Sequence, residues 1–306
     1  MTPRITVPAI GFVSVICWDG SFRENFDGVL CALNQTLPKD TYELIFVEYY
    51  ERANPQILAL AEQHENVQVA ALGNSHPGKE NEHSIGACVN EGLRRARGDL
   101  IVIPDADVVF EEDFLEEVVR QHERYEELAL YFYRMDEPET AWPVPRSIEE
   151  LKKVGRIRFA ENYGGCLAVR KKWLEEINGY EEDDLWRGYA SQDQDTARRL
   201  KTLGLSVKWH PSKFLYHGHH TGCHSPDPQS LKRIYVQREI FRGREQALET
   251  LPDKGLDPGR KPKWRYRAEP RPMSPPLRRL LGFAIRGAAH RLLPRSVRLA
   301  LRRLLA

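Results

Sequence analysis

Strand-like and helix-like segments alternate over the first hundred residues, and this alternation is the feature that most constrains the fold. Short apolar runs rich in β-branched residues indicate strands, and segments with apolar residues at helical spacing separate them. Such alternation requires crossover connections and predicts a mainly parallel sheet covered by helices, as in Rossmann-like α/β domains. The predicted strands are 11–16, 42–47, 67–71 and 100–104, and the predicted helices are 26–35, 55–64 and 84–96.

The remainder of the chain adds further elements and then changes in composition. We predict helices at 111–127, 171–177 and 193–203, and strands at 128–134, 162–169, 206–209 and 213–217. Proline and arginine dominate from 251 to 276, which is typical of an extended linker. The expected organisation is one α/β domain over 1–240, a Pro/Arg-rich linker over 241–276 and a basic helical tail over 277–306.

The fourth predicted strand ends at Asp105-Ala106-Asp107. In open α/β sheets ligands bind outside the carboxyl ends of the strands. On an extended backbone, Asp105 and Asp107 would point the same way, and their repulsion would be relieved by a cation. Mg²⁺ is a natural candidate, because it binds one or two carboxylates together with substrate phosphates. The alternative is a solvated acidic loop.

Two further polar clusters lie downstream. Asp193 and Asp195 begin a predicted helix, where each could simply cap the helix N-terminus. Three histidines lie at the end of the last predicted strand, at His217, His219 and His220, and their density favours metal binding. The pair at 164–165, Gly-Gly, either lets the backbone approach a ligand or forms a bulge.

Taken in order, these motifs resemble the family 2 glycosyltransferases, which have the GT-A fold. The resemblance extends from about Phe12 to His220 and rests on the order and spacing of the segments. They are ALNQTLP at 32–38, ELIFVE at 43–48, GACVNEG at 86–92, ARGD at 96–99, PDAD at 104–107, GGCLAVR at 164–170, INGY at 177–180 and QDQD at 192–195.

The resemblance implies an inverting, hexosyltransferase-type enzyme with a nucleotide-sugar donor, expected to be a UDP-sugar, and a divalent Mn²⁺ or Mg²⁺ ion. It makes Asp107 a metal ligand, with His217 or His219 completing the shell, and Asp193 the general base. The acceptor would be a hydroxyl of a glycan or of a lipid-linked sugar, as in polysaccharide biosynthesis. The donor-side residues would be Cys17, Glu48, Asn90 and Asp105.

Several residues depart from the family pattern. Gln192 replaces a glutamate before the predicted base, and Glu48 replaces an aspartate at the end of the second strand. Residues 17–19 and 49–51 also differ, so most departures surround the expected nucleoside. Two other functions therefore stay open: a domain that binds a glycan or nucleotide without turnover, and a sugar nucleotidyltransferase.

The composition of the chain indicates which binding partners and which cellular compartment to expect. The five cysteines are scattered without a CxxC pair, which favours a reducing, cytoplasmic compartment. No segment approaches the roughly 20 apolar residues of a spanning helix, and nothing points to nucleic acid. The tail, 277–306, has eight arginines and no acidic residue. Its two predicted amphipathic helices would lie on an anionic membrane surface, or pack on the catalytic domain or on a second copy of the chain.

Overall fold

A computed structural model describes residues 7, 9–20, 26–75, 83–138, 147–157, 162–188, 191–219, 237 and 254–257. These residues form an α/β domain around a mixed sheet, in which nine strands are described. The predicted tail at 277–306, His220 and most of the predicted linker lie outside the described residues. The chain divides into a unit Met1–Arg267 and a second unit Ala268–Ala306.

The N-terminal half of the sheet is parallel, as predicted. Its four strands lie in the order β3-β2-β1-β4. Nearly continuous apolar runs form these strands because both faces of a parallel sheet are covered, and every residue of β1, β2 and β4 is buried. The strands are β1 (Val13–Asp19), β2 (Tyr42–Tyr50), β3 (Val67–Asn74) and β4 (Leu100–Pro104).

Beyond β4 the sheet becomes mixed. Its strands are β5 (Val108–Val109), β6 (Leu128–Asp136), β7 (Arg156–Ile157), β8 (Cys166–Arg170) and β9 (Ser206–His217). β8 lies antiparallel between β4 and β6, and β9 runs parallel to β6. β5 and β7 pair antiparallel with β9 and β6. The expectation of a mainly parallel sheet therefore describes the first half better than the second.

Helices cover the sheet and enclose two apolar clusters. One cluster includes Val29, Phe46 and Phe114, and the other includes Ile45, Val89 and Leu200. The helices are α1 (Asp27–Leu33), α2 (Pro55–Gln63), α3 (Ile85–Arg95), α4 (Phe114–Arg124), α5 (Ile148–Val154), α6 (Lys171–Glu176) and α7 (Gln192–Leu203), with 3-10 turns at Lys39–Thr41 and Asp184–Trp186. No helix among the described residues is long and apolar enough to cross a bilayer.

The two short strands predicted at 206–209 and 213–217 are one strand, β9, with a register shift opposite β6. His210 stabilises this irregularity, because its Nδ1 accepts hydrogen bonds from the backbone N–H groups of Ser212 and Lys213, at 3.2 and 2.8 Å. Its Nε2 lies 2.8 Å from the carboxylate of Glu117 on α4. The residues between the two predicted strands therefore belong to β9, and the buried His210–Glu117 pair stabilises the register shift there.

Part of the predicted linker is docked on the domain. The backbone N–H groups of Leu256 and Asp257 donate to the backbone and side-chain oxygens of Asn178, each at 2.8 Å. Leu256 packs against the second apolar cluster. Residues 254–257 therefore belong to the ordered domain, beyond the predicted boundary at 240.

Candidate active site

A tight turn carries the two aspartates after β4. The backbone N–H of Val108 donates to the carbonyl of Asp105 at 3.3 Å, and that of Asp105 donates to the carbonyl of Gly165 at 2.8 Å. The prediction of an extended backbone here is wrong, since the turn gives the two side chains different surroundings. The side chain of Asp105 is 25% exposed, and that of Asp107 is 7% exposed.

The start of α1 packs directly on this turn. The backbone N–H of Gly28 donates to the carbonyl of Ala106 at 3.0 Å. A Cβ at position 28 would lie 2.5 Å from the carbonyl oxygen of Val108 and 2.8 Å from that of Asp105. Only glycine allows so close an approach, so the turn is fixed by a residue that the sequence analysis did not single out.

Sheet pairing brings charged side chains from three neighbouring strands together. In the Cα register, His217 on β9 lies opposite both Val108 on β5 and Asp136 on β6. His217 Nε2 lies 3.8 Å from Asp107 Oδ2, and His217 Nδ1 lies 3.2 Å from Asp136 Oδ1. The other predicted ligand, His219, lies two residues further on, where its backbone N–H donates to the carboxylate of Glu137 at 3.1 Å.

Arg134 links the cluster to the remaining aspartate. Its Nε lies 2.8 Å from Asp136 Oδ1, and its Nη1 lies 4.0 Å from Asp105 Oδ2. Burial alone would raise the pKa of Asp136, but the neighbouring His217 imidazole and the charge of Arg134 outweigh this effect and lower the pKa below its ordinary value. Sequence reasoning missed both Arg134 and Asp136; their position at the end of a predicted strand was the available signal.

The cluster has the charge and donor types that suit a divalent cation bound together with a diphosphate. Three carboxylates and one guanidinium leave a formal excess of two negative charges when His217 is neutral. Carboxylate oxygens and imidazole nitrogen are ligands for Mn²⁺ and Mg²⁺. Within the described ranges, no group of three or more His, Cys, Asp or Glu side chains forms a complete metal site by itself. The residues of this cluster suit a divalent cation whose other ligands are the phosphate oxygens of the substrate.

Asp193 lies in the first turn of α7, beside the glycine pair. A Cβ at Gly164 would lie 3.4 Å from Asp193 Oδ2, so the backbone at 164 runs past the carboxyl group. Burial, together with the negative charge of Asp105, raises the pKa of Asp193 to about 7. A carboxyl group with this pKa can accept a proton near neutral pH. Asp195, two residues on, is buried against Arg199 at 2.8 Å, and this ion pair gives it a structural role.

A second acidic pair lies at the ends of β1 and β2. Asp19 and Glu48 are buried register partners on these strands. Burial raises the pKa of Glu48 to about 7, with Asp19 adding to the rise, although the carboxylate accepts a hydrogen bond from Tyr50 N–H at 3.0 Å. Trp18 stacks on His83 beside this pair, with ring centroids 5.4 Å apart. The sequence analysis predicted that one member of this pair, Glu48, contacts the nucleoside.

Two of the predicted donor-side residues, Cys17 and Asn90, have side chains that are buried inside the protein. Cys17 is fully buried within the first apolar cluster. Asn90 is also fully buried, and its amide donates to the Tyr180 carbonyl at 2.9 Å and to Glu182 at 2.6 Å. Its side-chain oxygen accepts from Tyr180 N–H at 2.8 Å. Asn90 therefore fastens α3 to the loop after α6, because its hydrogen bonds are made within the protein.

Three aromatic rings lie beside the glycine pair. Tyr131 stacks with Trp209 at a centroid distance of 5.4 Å, and Tyr163 meets both rings edge-on at 5.5 and 5.1 Å. Tyr163 and Trp209 keep part of their surface accessible. The electrostatic influence of Asp193 reaches Tyr131, whose pKa is raised well above its ordinary value chiefly by burial. The sequence analysis placed Tyr163 in a strand but gave it no function.

Two family models match the chain. The model of glycosyl transferase family 2 matches residues 28–178, which include the β4 turn, Arg134, Asp136 and the glycine pair. The model described as the N-terminal domain of galactosyltransferase matches residues 146–221, which include Asp193 and His217. No curated protein matches the sequence significantly.

Three solved structures of similar fold are distant in sequence. TarS of S. aureus in complex with UDP-GlcNAc has 16% identity and a TM-score of 0.57 over 76% of this chain and 66% of that chain. The mannosyltransferase PcManGT of Pyrobaculum calidifontis, in complex with GDP-Man and Mn²⁺, has 17% identity and a TM-score of 0.51 over 79% and 73%. GalNAc-T7 with UDP, GalNAc and Mn²⁺ has 14% identity and a TM-score of 0.53 over 76% and 48%. The match thus spans slightly less than two thirds of TarS.

Proposed function

Because residues 28–178 belong to glycosyl transferase family 2, we propose that this protein transfers a sugar, with inversion, from a nucleoside-diphosphate sugar to a hydroxyl of a glycan or lipid-linked acceptor. The observation that carries the proposal is the position of Asp105. It is linked through Arg134 to the Asp107–His217 cluster, and its charge acts on Asp193. In this proposal, a cluster on the side of the diphosphate and a general base would border one site on a GT-A fold.

The donor would lie between the ends of β1 and β2 and the β4 turn. Glu48 and Asp19 offer oxygen acceptors to the hydroxyl and N–H groups of a nucleoside. Asp105 would face the ribose. Asp107 and His217 would hold a divalent ion, which when bound neutralises the charge that develops on the diphosphate leaving group. The UDP complexes of TarS and GalNAc-T7 support a UDP-sugar donor.

Asp193 would act on the acceptor. As the acceptor oxygen forms its bond to the anomeric carbon, the bond from that carbon to the diphosphate breaks, and the hydroxyl proton passes to a carboxylate oxygen of Asp193. The raised pKa of Asp193 supports this role, because the conjugate base of a weaker acid is a stronger proton acceptor. A single displacement of this kind inverts the anomeric centre.

The accessible faces of Tyr163 and Trp209 would receive the acceptor sugar. Both rings contact Tyr131, on which the charge of Asp193 acts. The indole N–H of Trp209 is fixed by a hydrogen bond to the Asn162 carbonyl at 3.1 Å. Rigid aromatic rings supply large contact areas at a low entropic cost. We therefore propose a carbohydrate ring, rather than a lipid chain, as the acceptor group next to the base.

A thermal-shift panel of nucleoside diphosphates and their sugars, with and without Mn²⁺, tests the donor and the metal. We expect UDP or its sugar with Mn²⁺ to stabilise the protein, by about 2.7 kcal/mol at 100 times the dissociation constant. Asp107→Ala should abolish the Mn²⁺-dependent part of the shift, because it removes a proposed ligand. Asp40→Ala, at an exposed aspartate, is the matched control.

Equal shifts with and without Mn²⁺ in the wild-type protein would contradict the metal role. The products then separate the three functions. Release of nucleoside diphosphate from a nucleotide sugar indicates transfer or slow hydrolysis, whereas release of pyrophosphate indicates a nucleotidyltransferase. Binding without any turnover, even with added glycan acceptors, indicates a binding domain.

A further inference from the structure

Gln237, which follows β9 in the chain, holds the segment that leads into α7. Its side chain is fully buried. Its Oε1 accepts a hydrogen bond from the backbone N–H of Ser191 at 3.1 Å, and its Nε2 donates to the backbone carbonyl of Leu185 at 2.9 Å. Because an N–H needs an acceptor and a carbonyl needs a donor, only this orientation of the amide satisfies both groups. One side chain thus joins the two ends of residues 185–191.

The middle of this segment is fixed as well. The backbone N–H of Gly188 donates to the carbonyl of His83 at 2.7 Å, and the φ of Gly188, +73°, lies in the left-handed region that favours glycine. His83 stacks on Trp18, beside the acidic pair at the ends of β1 and β2. Residues 185–191 therefore connect the proposed donor side of the site with the start of α7.

The first turn of α7 carries Asp193, and the attachment of this turn begins at Ser191. Ser191 is the N-cap residue, but its side chain makes no capping hydrogen bond. Its backbone makes contacts on both sides, because the carbonyl accepts from Asp195 N–H at 3.0 Å and the N–H donates to Gln237. The hydrogen bond to Gln237 thus ties the turn that bears Asp193 to another part of the chain.

We propose that Gln237 is a positioning residue that fixes the start of α7 and thereby holds Asp193 against the acceptor hydroxyl. The inference rests on the proposed function, in which Asp193 is the general base. A base acts only within hydrogen-bond reach of the proton that it accepts, and a displacement of about 1 Å can cost about 10²-fold in rate. Gln237 follows the regions that the two family models match, 28–178 and 146–221, so neither match includes it.

The test replaces Gln237 with methionine, which has a similar length but neither the donor nor the acceptor. Gln35→Met is the matched control. Gln35 is also a buried glutamine, whose Oε1 accepts from Leu115 N–H at 2.9 Å in the first turn of α4 and whose Nε2 donates to the Cys31 carbonyl at 2.8 Å. Both variants lose the same kind of contact at a helix start, so both should be less stable, but only Gln237→Met should affect Asp193.

The pKa of Asp193 is the first readout, and it needs neither donor nor metal. In protein labelled with ¹³C-aspartate, the carboxyl signal of Asp193 is assigned by its loss in Asp193→Asn and is followed from pH 4 to pH 9. We expect a pKa of about 7 in the wild type. In Gln237→Met it should fall to about 6 or below, because a loosened first turn admits water to the carboxyl group. A pKa unchanged in Gln237→Met, or lowered equally in Gln35→Met, would overturn the proposal.

Turnover is the second readout, measured as UDP released from the UDP-sugar that the thermal-shift panel selects, with Mn²⁺ and added glycan acceptors, at a temperature at which the variants are folded. We expect Gln237→Met to lower kcat by about 10–100-fold and Gln35→Met to leave it within about twofold. UDP affinity should stay within about twofold in both variants, because the hydrogen bond between Gly188 and His83 remains.

If Gln237→Met does not fold, Gln237→Asn takes its place, with Gln35→Asn as its control, because the shorter side chain cannot reach both backbone partners. The proposed function fails separately. If the wild type releases no UDP, or Asp193→Asn releases it as fast as the wild type, the function fails, and the pKa of Asp193 alone decides whether Gln237 holds the start of α7. If Asp193→Asn is inactive and Gln237→Met is as active as the wild type, the function stands and Gln237 has no positioning role.

Discussion

At the residue scale, ionisation of Asp193 lowers the stability of the folded protein. The pKa of a free aspartate lies near 3.8, whereas burial and the charge of Asp105 raise the pKa of Asp193 to about 7. The folded protein therefore binds a proton that the unfolded chain releases between these two values. Across that window, from about pH 4 to 7, the contribution of Asp193 to stability falls as the pH rises. Above pH 7 the folded state carries the cost of a charge that is largely withdrawn from water, and solvent screening reduces this cost because the side chain is partly exposed.

Asp193→Asn should separate stability from activity. The amide carries no charge, so above pH 7 we expect it to raise the free energy of unfolding by about 1–2 kcal/mol, since each pKa unit is worth about 1.4 kcal/mol and the group is partly exposed. Sugar transfer should fall by at least 10²–10⁴ because the base is lost, while UDP binding stays. Chemical denaturation at pH 5 and 8, with a transfer assay, measures both; Asp40→Asn is the control.

A stability gain that is equal at pH 5 and pH 8, or transfer at the wild-type rate, would contradict the assignment of Asp193. The wild-type pH profile provides a further check, because kcat/KM should rise with pH up to about 7 and then level off. Asp105→Asn should move this rise to lower pH, since it removes a charge that raises the pKa of Asp193.

The sequence alone identified the acidic residues of the candidate site, but it did not predict how these residues are arranged around one another. Asp105, Asp107 and His217 could be named because charged residues at strand ends are visible in the pattern, and the structure brings them together. Arg134 and Asp136 could not, because their importance comes from the register between β6 and β9. The burial of the Asn90 and Cys17 side chains could not be predicted either, since a polar or thiol group in a family motif has the same appearance in the sequence whether it faces a ligand or the core.

At the element scale, the start of α7 is fastened by Arg199. Its guanidinium donates to the backbone carbonyls of Ile177 and Gly179, at 2.9 and 2.6 Å, and pairs with Asp195 one turn earlier. Both charged side chains are 1% exposed. Arg199 thereby joins α7 to the loop after α6, which Asn90 joins to α3, so three helices define the position of Asp193.

Arg199→Met should destabilise the protein by about 3–5 kcal/mol, because it leaves the Asp195 carboxylate buried without its partner. Adding Asp195→Leu should recover part of this loss, since the double variant has no buried charge. Urea denaturation of the variants gives the coupling energy. Arg95→Met, in an exposed pair with Glu91, should cost less than about 1 kcal/mol. If Arg199→Met and Arg95→Met lowered the free energy of unfolding by comparable amounts, Arg199 would not be what fastens α7.

The elements themselves were largely predictable where local pattern decides. The parallel half of the sheet followed from alternating apolar runs and helices. The mixed half did not, because the antiparallel placement of β8 between β4 and β6 depends on long-range pairing. The β4 turn was also missed, since its shape depends on Gly28 from another element.

At the scale of the whole molecule, charge is unevenly distributed along the chain. The net charge is +1, yet 277–306 contains eight arginines and no acidic residue, so the remainder of the chain is net acidic. Basic residues near an anionic bilayer contribute about 1 kcal/mol each. We propose that this tail brings the enzyme to a membrane surface, where a lipid-linked acceptor would be concentrated.

Sedimentation with vesicles tests the tail. We expect the full chain to bind vesicles that contain 30% anionic lipid at about 0.1 M salt and to be released at about 0.5 M salt, because salt screens surface charge. Replacing Arg278, Arg279, Arg302 and Arg303 with glutamine should abolish binding without changing UDP affinity. Equal binding to neutral vesicles would contradict an electrostatic anchor. A loss of stability or a change of oligomeric state in the variant would instead favour packing on protein.

The docking of residues 254–257 bears on the design of expression fragments. A fragment that ends at 240, where the sequence pattern places the end of the domain, would leave Asn178 without its backbone partners and would expose the surface under Leu256. That surface adjoins the loop held by Asn90 and Arg199. A truncated protein could thus lose activity for reasons unrelated to the basic tail, so fragments meant to isolate the catalytic unit should extend through Arg267.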